Sequence, residues 1–241
     1  MNWLSFLLAG VLVYVAVAVF LVGTVFRVYY WLKVPRSGIK LGMFPQADDR
    51  RGRFLQWVKD TFLFPQVLDI DRPMWLFVIL LHVGGVAAFV GHLRLIQEFT
   101  PLANALGKEG MEQFSLISGG IVGMVLLVSV LYLLARRFKS PYRDLSTPED
   151  YFLLILIFMV LLMGNHLRFF GQVEVEAYRA YVHSLLTFSP EFPAELAESG
   201  TRWVLVTHVT LSNLLLMYLP FSKLVHYIGT YAVNMIRSEA R

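Results

Sequence analysis

LLHVGGVAAFVGH, residues 80–92, decides how this chain folds, together with HVTLSNLLLMYLPFSKLVH, residues 208–226. Each stretch belongs to an apolar run that is long enough to cross a bilayer, and each contains two histidines. An imidazole in hydrocarbon is costly, so it needs a partner and commonly marks a functional site. The four histidines are His82, His92, His208 and His226. We therefore expect two membrane helices that share a histidine-based site.

The composition of the chain extends this prediction to the whole molecule. It has 241 residues, of which 57% are apolar, and its mean hydropathy of +0.60 is too high for a soluble domain of this size. A span needs about 20 apolar residues, and five runs reach or approach that length. We predict an all-α, polytopic membrane protein with one domain over 1–241. Its spans are expected at about 3–32, 74–96, 114–136, 151–170 and 203–236.

The distribution of lysine and arginine predicts the orientation of these spans. Fifteen of them fall in the 33–73 loop, the 136–150 segment and the tail from 223, against five in the alternate loops. By the positive-inside rule the N-terminus is outside and the C-terminus is cytoplasmic. No basic residue precedes the first apolar run, so we expect a retained span and not a cleaved signal. The net charge of +4 reflects this topology, and no nucleic-acid partner is expected.

Both long loops contain segments with helical character. Residues 53–64 of the cytoplasmic loop place their apolar side chains on one face, which predicts a helix at the membrane interface or a docking platform for a partner. In the external loop, 171–202, the stretch EVEAYRAYVHSLL at 174–186 is predicted as a short surface helix.

The chain has no cysteine. This excludes covalent c-type haem attachment through C-x-x-C-H and any iron–sulfur cluster held by this chain. Histidine is therefore the available ligand for a noncovalent redox centre.

The spacing of the histidines allows them to be paired by depth. His82 and His92 lie ten residues apart, or roughly 15 Å along a helix, and His208 and His226 lie eighteen apart, or roughly 27 Å and five whole turns. Because the two spans run antiparallel, His92 pairs with His208 near the outer face and His82 with His226 near the inner face. Tilted helices and a bend at Pro220 could take up the unequal separations. We interpret the pairs as axial ligands of two b-type haems.

The neighbouring residues fit this interpretation. Small residues beside the second-span histidines leave room for a flat macrocycle, and basic residues near the membrane faces suit its propionates. These residues are Gly84, Gly85, Gly91, Arg94, Arg136, Arg168 and Lys223. The alternative is that the histidines bond between helices and that the small residues serve only packing. His166 and His183 are expected to be local hydrogen bonders, although His166 could handle quinol protons.

The two histidine stretches resemble the gamma, cytochrome b subunit of respiratory nitrate reductase, whose corresponding histidines are haem ligands. The likeness covers all five spans. It is closer to the membrane cytochrome b of sulfite-reductase-associated complexes, on FLFPQVLDIDRPMWLFVILLH at 62–82, GNHLRFFG at 164–171 and LLTFSPEFP at 185–193.

The resemblance implies electron exchange between membrane quinone and a cytoplasmic iron–sulfur subunit similar to a heterodisulfide reductase catalytic subunit. Further membrane subunits and external cytochrome c subunits are also among the implied partners. It places a quinol site by the outer haem, at Gly91, His92, Lys108 and Gln113, with Gln113 near the place where the nitrate enzymes have a lysine.

The sequence thus predicts a dihaem electron-transfer subunit of an oxidoreductase complex that oxidises menaquinol in the cytoplasmic membrane of a prokaryote. We expect its chemistry to be sulfur- or sulfite-linked, with a nitrate reductase gamma subunit as the alternative. Two rivals from other classes are a haem-free proton or solute transporter with a histidine relay and a passive anchor for a cytoplasmic complex. The transporter predicts acidic residues inside the spans, and the five uncharged stretches contain none.

Overall fold

The computed structural model describes residues 3–33, 50–171 and 173–230. All regular secondary structure in these ranges is helical. In chain order the helices are α1 (Trp3–Lys33), α2 (Arg50–Phe62), α3 (Pro65–Ile70), α4 (Arg72–Leu93), α5 (Thr100–Arg136), α6 (Tyr142–Leu145), α7 (Pro148–Phe170), α8 (Val175–Leu186), α9 (Ala194–Glu198) and α10 (Arg202–Tyr218).

Five of these helices, α1, α4, α5, α7 and α10, are long and apolar enough to cross a membrane, which confirms the predicted number of spans. The chain divides into two compact units, and three of the spans contribute to both. The first unit joins Met1–Val17 to Leu80–Leu216, and the second joins Ala18–Ile79 to Met217–Arg241.

Packing in the first unit is most extensive between α5 and α7. Glycines of α5 make this approach possible, because a Cβ at Gly119 would lie 3.0 Å from the Arg168 guanidinium and one at Gly123 would overlap the Asn165 amide. The Asn165 Nδ2 donates to the Gly123 carbonyl at 3.1 Å. These glycines therefore serve helix packing, as small residues commonly do in membranes.

The start of α1 is bound to the segment between α7 and α10 in the same unit. Residues Leu7–Val11 form a π-helical turn, and the Ala9 carbonyl within it accepts a hydrogen bond from the Tyr181 hydroxyl of α8. The Tyr14 hydroxyl donates to the Leu185 carbonyl at 2.9 Å. Tyr181 belongs to a buried apolar cluster, so α8, the predicted surface helix, exists but is partly built into the core.

The second unit holds the rest of α1 against the segment that follows α10. A Cβ at Gly23 would lie 2.8 Å from the Phe221 ring and 2.9 Å from Pro220, so only glycine admits this contact. Four residues later, the Arg27 Nε donates to the Pro220 carbonyl at 3.0 Å. The Thr24 and Tyr227 hydroxyls lie 2.6 Å apart. Residues of one face of α1 thus bind the bent segment.

Several predicted boundaries differ from the observed ones. The third span begins at Thr100 and not at 114, with Pro101 in its first turn, and a kink at Gly107 (φ 70°) joins its two parts. The fourth begins at Pro148 because the Thr147 N–H and hydroxyl both donate to the Asp150 carboxylate, which caps the helix. The second span ends at Leu93, and the helix expected at 53–64 is Arg50–Phe62.

The fifth span is not one continuous helix over 203–236. It ends at Tyr218, continues as a 3-10 turn at Leu219–Phe221, and a second 3-10 turn at Lys223–Val225 leads to His226. The predicted bend at Pro220 is therefore confirmed, since proline lacks the N–H that would continue the helix. The predicted residues 34–49 of the cytoplasmic loop and 231–236 of the fifth span lie outside the described residues.

Candidate functional site

His92 of α4 and His208 of α10 face each other in the first unit. Their ring centroids are 6.5 Å apart, and the ring planes are only 16° from parallel. His92 is exposed in the isolated chain although it lies in an apolar span, and His208 is partly buried. The structure therefore brings together the two histidines that depth matching had paired at the outer face.

Each of these rings is oriented by a backbone carbonyl. The His92 Nδ1 lies 2.7 Å from the Ala88 carbonyl oxygen, and the His208 Nδ1 lies 3.0 Å from the Val160 carbonyl oxygen. Because a carbonyl oxygen only accepts, each contact requires the proton on Nδ1 and leaves the Nε2 lone pair for another partner. Metal-binding histidines usually show this arrangement, in which the second nitrogen donates to a backbone or carboxylate oxygen.

The separation of the two rings fits a metal ion between them. A histidine nitrogen binds a first-row metal at about 2.0–2.1 Å and the ring centre lies roughly 1 Å behind it, so two opposed ligands place their ring centres about 6 Å apart. Within residues 3–33, 50–171 and 173–230, no group of three or more histidine or acidic side chains could hold a metal ion. An ion on His92 and His208 would thus need ligands from another molecule, as haem iron has from its porphyrin.

Open space beside α4 is consistent with a macrocycle. A Cβ at Gly85 or Gly91 would meet no atom within 4 Å, whereas one at Gly84 would lie 2.9 Å from Leu126 of α5. Of the residues in the most apolar stretch of α4, 6% are buried, against 17–22% in the corresponding stretches of the other four spans. Gly85 and Gly91 thus border free volume, while Gly84 admits a neighbouring helix.

Two residues of α7 contact His208 but were not predicted from the sequence to do so. Val160 supplies the carbonyl described above, and a Cβ at Gly164 would lie 3.1 Å from the His208 Cε1. Because residues four apart lie one above the other on a helix, the sequence does indicate that Val160 and Gly164 share one face of α7. What the sequence did not reveal is that this face of α7 meets α10.

The other predicted pair, His82 and His226, is divided between the two units. His82 is an exposed residue of α4 in the first unit. His226 follows the 3-10 turns of the second unit, and its Nδ1 lies 3.0 Å from the Lys223 carbonyl oxygen. This contact requires the proton of His226 on Nδ1, as for His92 and His208.

The other histidines behave differently. The His183 Nε2 of α8 lies 2.7 Å from the Ile96 carbonyl oxygen, which confirms the expected local hydrogen bond and uses the nitrogen that the ligand candidates leave free. His166 is exposed, and its ring lies 5.0 Å from that of Phe170.

The candidate basic residues are dispersed. Arg94 follows His92 closely and Arg168 lies against α5, whereas the Arg136 guanidinium stacks 3.5 Å from the Tyr142 ring at the other end of α5. Lys223 lies in the bent segment of the second unit. Lys108 and Gln113 are exposed residues at the start of the second part of α5, after the Gly107 kink.

A charge cluster lies just past His92. The Glu98 carboxylate accepts hydrogen bonds from the Arg94 Nε at 2.9 and 3.1 Å and from the Arg179 Nη2 at 2.7 Å. The Arg94 hydrogen bond, aided by Arg179, holds the pKa of Glu98 below its ordinary value of 4.5. Burial raises the pKa of Tyr178, which precedes Arg179 on α8. Glu98 is thus a carboxylate that stays charged and ties α8 to the segment after α4.

Comparisons with known proteins are consistent with this geometry. The family model of the nitrate reductase gamma subunit matches residues 66–239. The chain is similar to the Hdr-like menaquinol oxidoreductase cytochrome b-like subunit of Archaeoglobus fulgidus, with 29% identity over 92% of this chain and 76% of that protein. The same-named subunit of Archaeoglobus profundus is 24% identical over 90% and 74%. The respiratory nitrate reductase 2 gamma chain of Escherichia coli is 27% identical over 67% and 73%.

Proposed function

Because this chain belongs to the nitrate reductase gamma subunit family, we propose that it is a dihaem cytochrome b that moves electrons between menaquinol and a cytoplasmic iron–sulfur partner. Its five apolar helices and its relatives make it a multi-pass protein of a prokaryotic cell membrane, with a role in membrane electron transfer. The family name of the relatives supports haem and quinone as the groups involved.

The observation that carries the proposal is the His92–His208 pair. The rings are nearly parallel and 6.5 Å apart, and both Nδ1 atoms are engaged by carbonyls. Two Nε2 lone pairs held in this way would let His92 and His208 hold one haem iron between them. When bound, haem supplies one-electron redox chemistry, and the protein sets its ligation, burial and spacing.

The inner pair, His82 with His226, is proposed as the second ligand set. Support comes from the antiparallel course of α4 and α10 in the proposed topology and from the Lys223 carbonyl at the His226 Nδ1. Of the residues proposed to face the macrocycles, Gly85 and Gly91 have open space, and Arg94, Arg136, Arg168 and Lys223 supply positive charge.

Quinol oxidation is proposed beside the outer pair, near Gly91 and His92, with Lys108 and Gln113 as polar candidates. In the proposed orientation, with the N-terminus outside and the C-terminus cytoplasmic, protons from quinol leave on the outer side while electrons pass inward. The cytoplasmic partner is proposed to resemble a heterodisulfide reductase catalytic subunit, because the Archaeoglobus relatives are named Hdr-like. Sulfur- or sulfite-linked chemistry is proposed for the complex, with a nitrate reductase gamma subunit as the alternative.

The test is a reduced-minus-oxidised absorption spectrum of the purified chain, together with an iron assay. We expect b-type bands and about two iron atoms per chain, with both lost in a His82→Ala, His92→Ala double variant. A matched His183→Ala variant should keep both haems, because its Nε2 is bonded to the Ile96 carbonyl. An iron-free chain without these bands would contradict the proposal and favour a transporter or a passive anchor.

A further inference from the structure

One side of α2 in the second unit is apolar and exposed. Phe54, Leu55 and Phe62 are 60%, 54% and 52% exposed, respectively. Phe54 and Leu55 precede Phe62 by eight and seven residues, or about two helical turns, so the three side chains lie on the same side of α2. A helix that forms part of a soluble surface would normally turn such a face toward the core. The structure therefore leaves an apolar face on α2 that the chain itself does not cover.

Aromatic contacts within α2 order this face. The Phe54 ring stacks on the Trp57 ring with centroids 5.8 Å apart, and the Phe62 ring meets Trp57 edge to face at 6.4 Å. Tryptophan is enriched where a protein crosses the boundary between membrane and water. The two exposed phenylalanine rings are thus held in place on Trp57 before anything binds them.

The end of α2 is tied to the start of a membrane span. The Leu63 N–H donates to the Lys59 carbonyl at 2.9 Å, so Leu63 continues the hydrogen bonding of α2. The Leu63 carbonyl accepts a hydrogen bond from the Trp75 Nε1 at 2.6 Å. Trp75 lies in the first turn of α4, where the Asp71 carboxylate caps the helix by accepting from the Met74 N–H at 2.9 Å. α2 therefore ends beside the first turn of a helix that crosses the membrane.

The charge of α2 suits an anionic membrane surface. Its thirteen residues include four basic side chains and a single acidic one, Asp60. Lys59, near the end of the helix, is exposed. A lysine at a membrane surface buries its apolar stem and places its charge among the headgroups. Basic residues on an amphipathic helix indicate a preference for anionic lipids.

We propose that α2 lies along the surface of an anionic phospholipid membrane. Phe54, Leu55 and Phe62 insert at the boundary between headgroups and acyl chains, and the Lys59 ammonium contacts lipid phosphates. A helix that lies in the plane of the interface immerses its apolar face along its whole length. The sequence left two occupants open for this segment, the membrane interface and a protein partner, and the structure favours the first.

The position of α2 is the reason. The hydrogen bond between Leu63 and Trp75 keeps Phe62 beside the first turn of α4. Ile70, which is 87% exposed, lies in the short connection between the same two helices. Apolar side chains beside the entry of a span meet lipid without any second protein. A soluble partner would have to displace that lipid in order to cover the same face.

The experiment measures the depth of single spin labels, which is possible because the chain has no cysteine. The full chain is reconstituted in nanodiscs that contain anionic phospholipid, with Leu55→Cys or Phe62→Cys as the labelled variant. Val22→Cys, at a residue of α1 that is 69% exposed, is the reference for lipid, and Lys139→Cys, at an exposed lysine, is the reference for water. Electron paramagnetic resonance compares the relaxation of each label by oxygen, which concentrates in lipid, and by a nickel chelate, which stays in water.

We expect oxygen to relax the labels at positions 55 and 62 more strongly than the chelate does, as at position 22, and the order to reverse at position 139. Labels at 55 and 62 that the chelate reaches as freely as the label at 139 would overturn the inference. So would protection that appears only after a cytoplasmic partner protein is added, since the occupant of the face would then be a protein. If one of the two variants does not fold, the other still gives the result.

The contact with phosphates is tested in the Leu55→Cys background. The label should lie deeper in anionic than in zwitterionic nanodiscs, and Lys59→Glu should remove most of that difference because it replaces the cation with a like charge to the lipid. Lys139→Glu makes the same change at another exposed lysine and should leave the difference intact. A depth that does not depend on lipid charge would show that the lysine makes no such contact.

The result is separable from the proposed function. The depth of the labels is read without reference to haem or quinol, and none of the substituted residues belongs to the proposed haem or quinol sites. A chain without b-type bands would defeat the proposed function and leave this inference standing, whereas water-exposed labels on a chain with two haems would defeat only the membrane contact of α2.

Discussion

At the scale of single residues, Gly164 controls the position of His208. Since a Cβ there would already lie 3.1 Å from the His208 Cε1, the larger valine must displace the ring from the Val160 carbonyl. We predict that Gly164→Val removes one haem and leaves about one per chain, while the helix itself persists. The pyridine haemochrome assay per mole of chain measures this. Gly200→Ala is the control, because nothing lies within 4 Å of that site.

Glu98 gives a prediction about pH. Its folded pKa lies below the ordinary value of 4.5, so its contribution to stability is present above that value and is lost as the pH falls through the folded pKa. Glu98→Gln should lower the free energy of unfolding at pH 7 by roughly 1 kcal/mol, allowing for its partial exposure. The difference from wild type should shrink with acidification.

Thermal unfolding in detergent at pH 7 and at pH 4 measures this difference. Glu195→Gln alters an exposed glutamate of α9 and should change neither value. A Glu98→Gln deficit that is equal at both pH values would contradict an electrostatic role for Glu98.

The sequence predicted the ligand candidates but not what orients them. Intramembrane histidines stand out by their cost, and depth matching paired His92 with His208 from spacing alone. The Ala88 and Val160 carbonyls that set the tautomers carry no sequence signal, because every residue has a carbonyl. The roles of the glycines were harder to predict. Nothing in the sequence distinguishes Gly84 from Gly91, yet only Gly84 contacts another helix.

At the scale of helices, the α5–α7 contact depends on Gly123. An added Cβ would overlap the Asn165 amide, whose Nδ2 donates to the Gly123 carbonyl. We predict that Gly123→Ala destabilises the chain by about 1–3 kcal/mol through overpacking, despite the better helix propensity of alanine. Ile121→Ala, at a residue of the same helix that is 60% exposed, is the control. Unfolding by sodium dodecyl sulfate titration compares the two.

The bend after α10 depends on Arg27. The Arg27 Nε donates to the Pro220 carbonyl, and its loss leaves that partly buried oxygen without this donor. We predict that Arg27→Gln lowers the occupancy of the haem assigned to His226 by half or more and spares the other. Haem content after washing, with band assignment from a His226→Ala variant, measures this. Equal loss of both haems would argue for general destabilisation.

Arg51→Gln, an exposed position on α2, serves as the control for Arg27.

The boundaries of the helices were predicted less well than their number. Hydropathy counts apolar residues, so it placed the start of α5 after Lys108 and Glu109 and missed the polar turns from Thr100. It also could not tell that the capped Pro148 begins α7 before the apolar run.

At the scale of the whole molecule, orientation can be tested because the chain has no cysteine. Lys139→Cys and Glu195→Cys place single thiols at exposed sites on either side of α7. The positive-inside distribution predicts that a membrane-impermeant maleimide labels intact cells at position 195 and not at 139. Permeabilised cells, in which both should react, provide the control. The reverse pattern would invert the proposed direction of electron flow.

The hydrogen bonds at the start of α1 have a consequence for biosynthesis. Ser5, Ala9 and Tyr14 are bonded to Arg202, Tyr181 and Leu185, which the ribosome adds more than 170 residues later. α1 is therefore made without these partners and gains its hydrogen bonds only after Tyr181, Leu185 and Arg202 have been added. During that interval its buried face is open to chaperones or to neighbouring subunits. This part of the molecule thus closes when a later segment of the chain folds back onto a helix made before it.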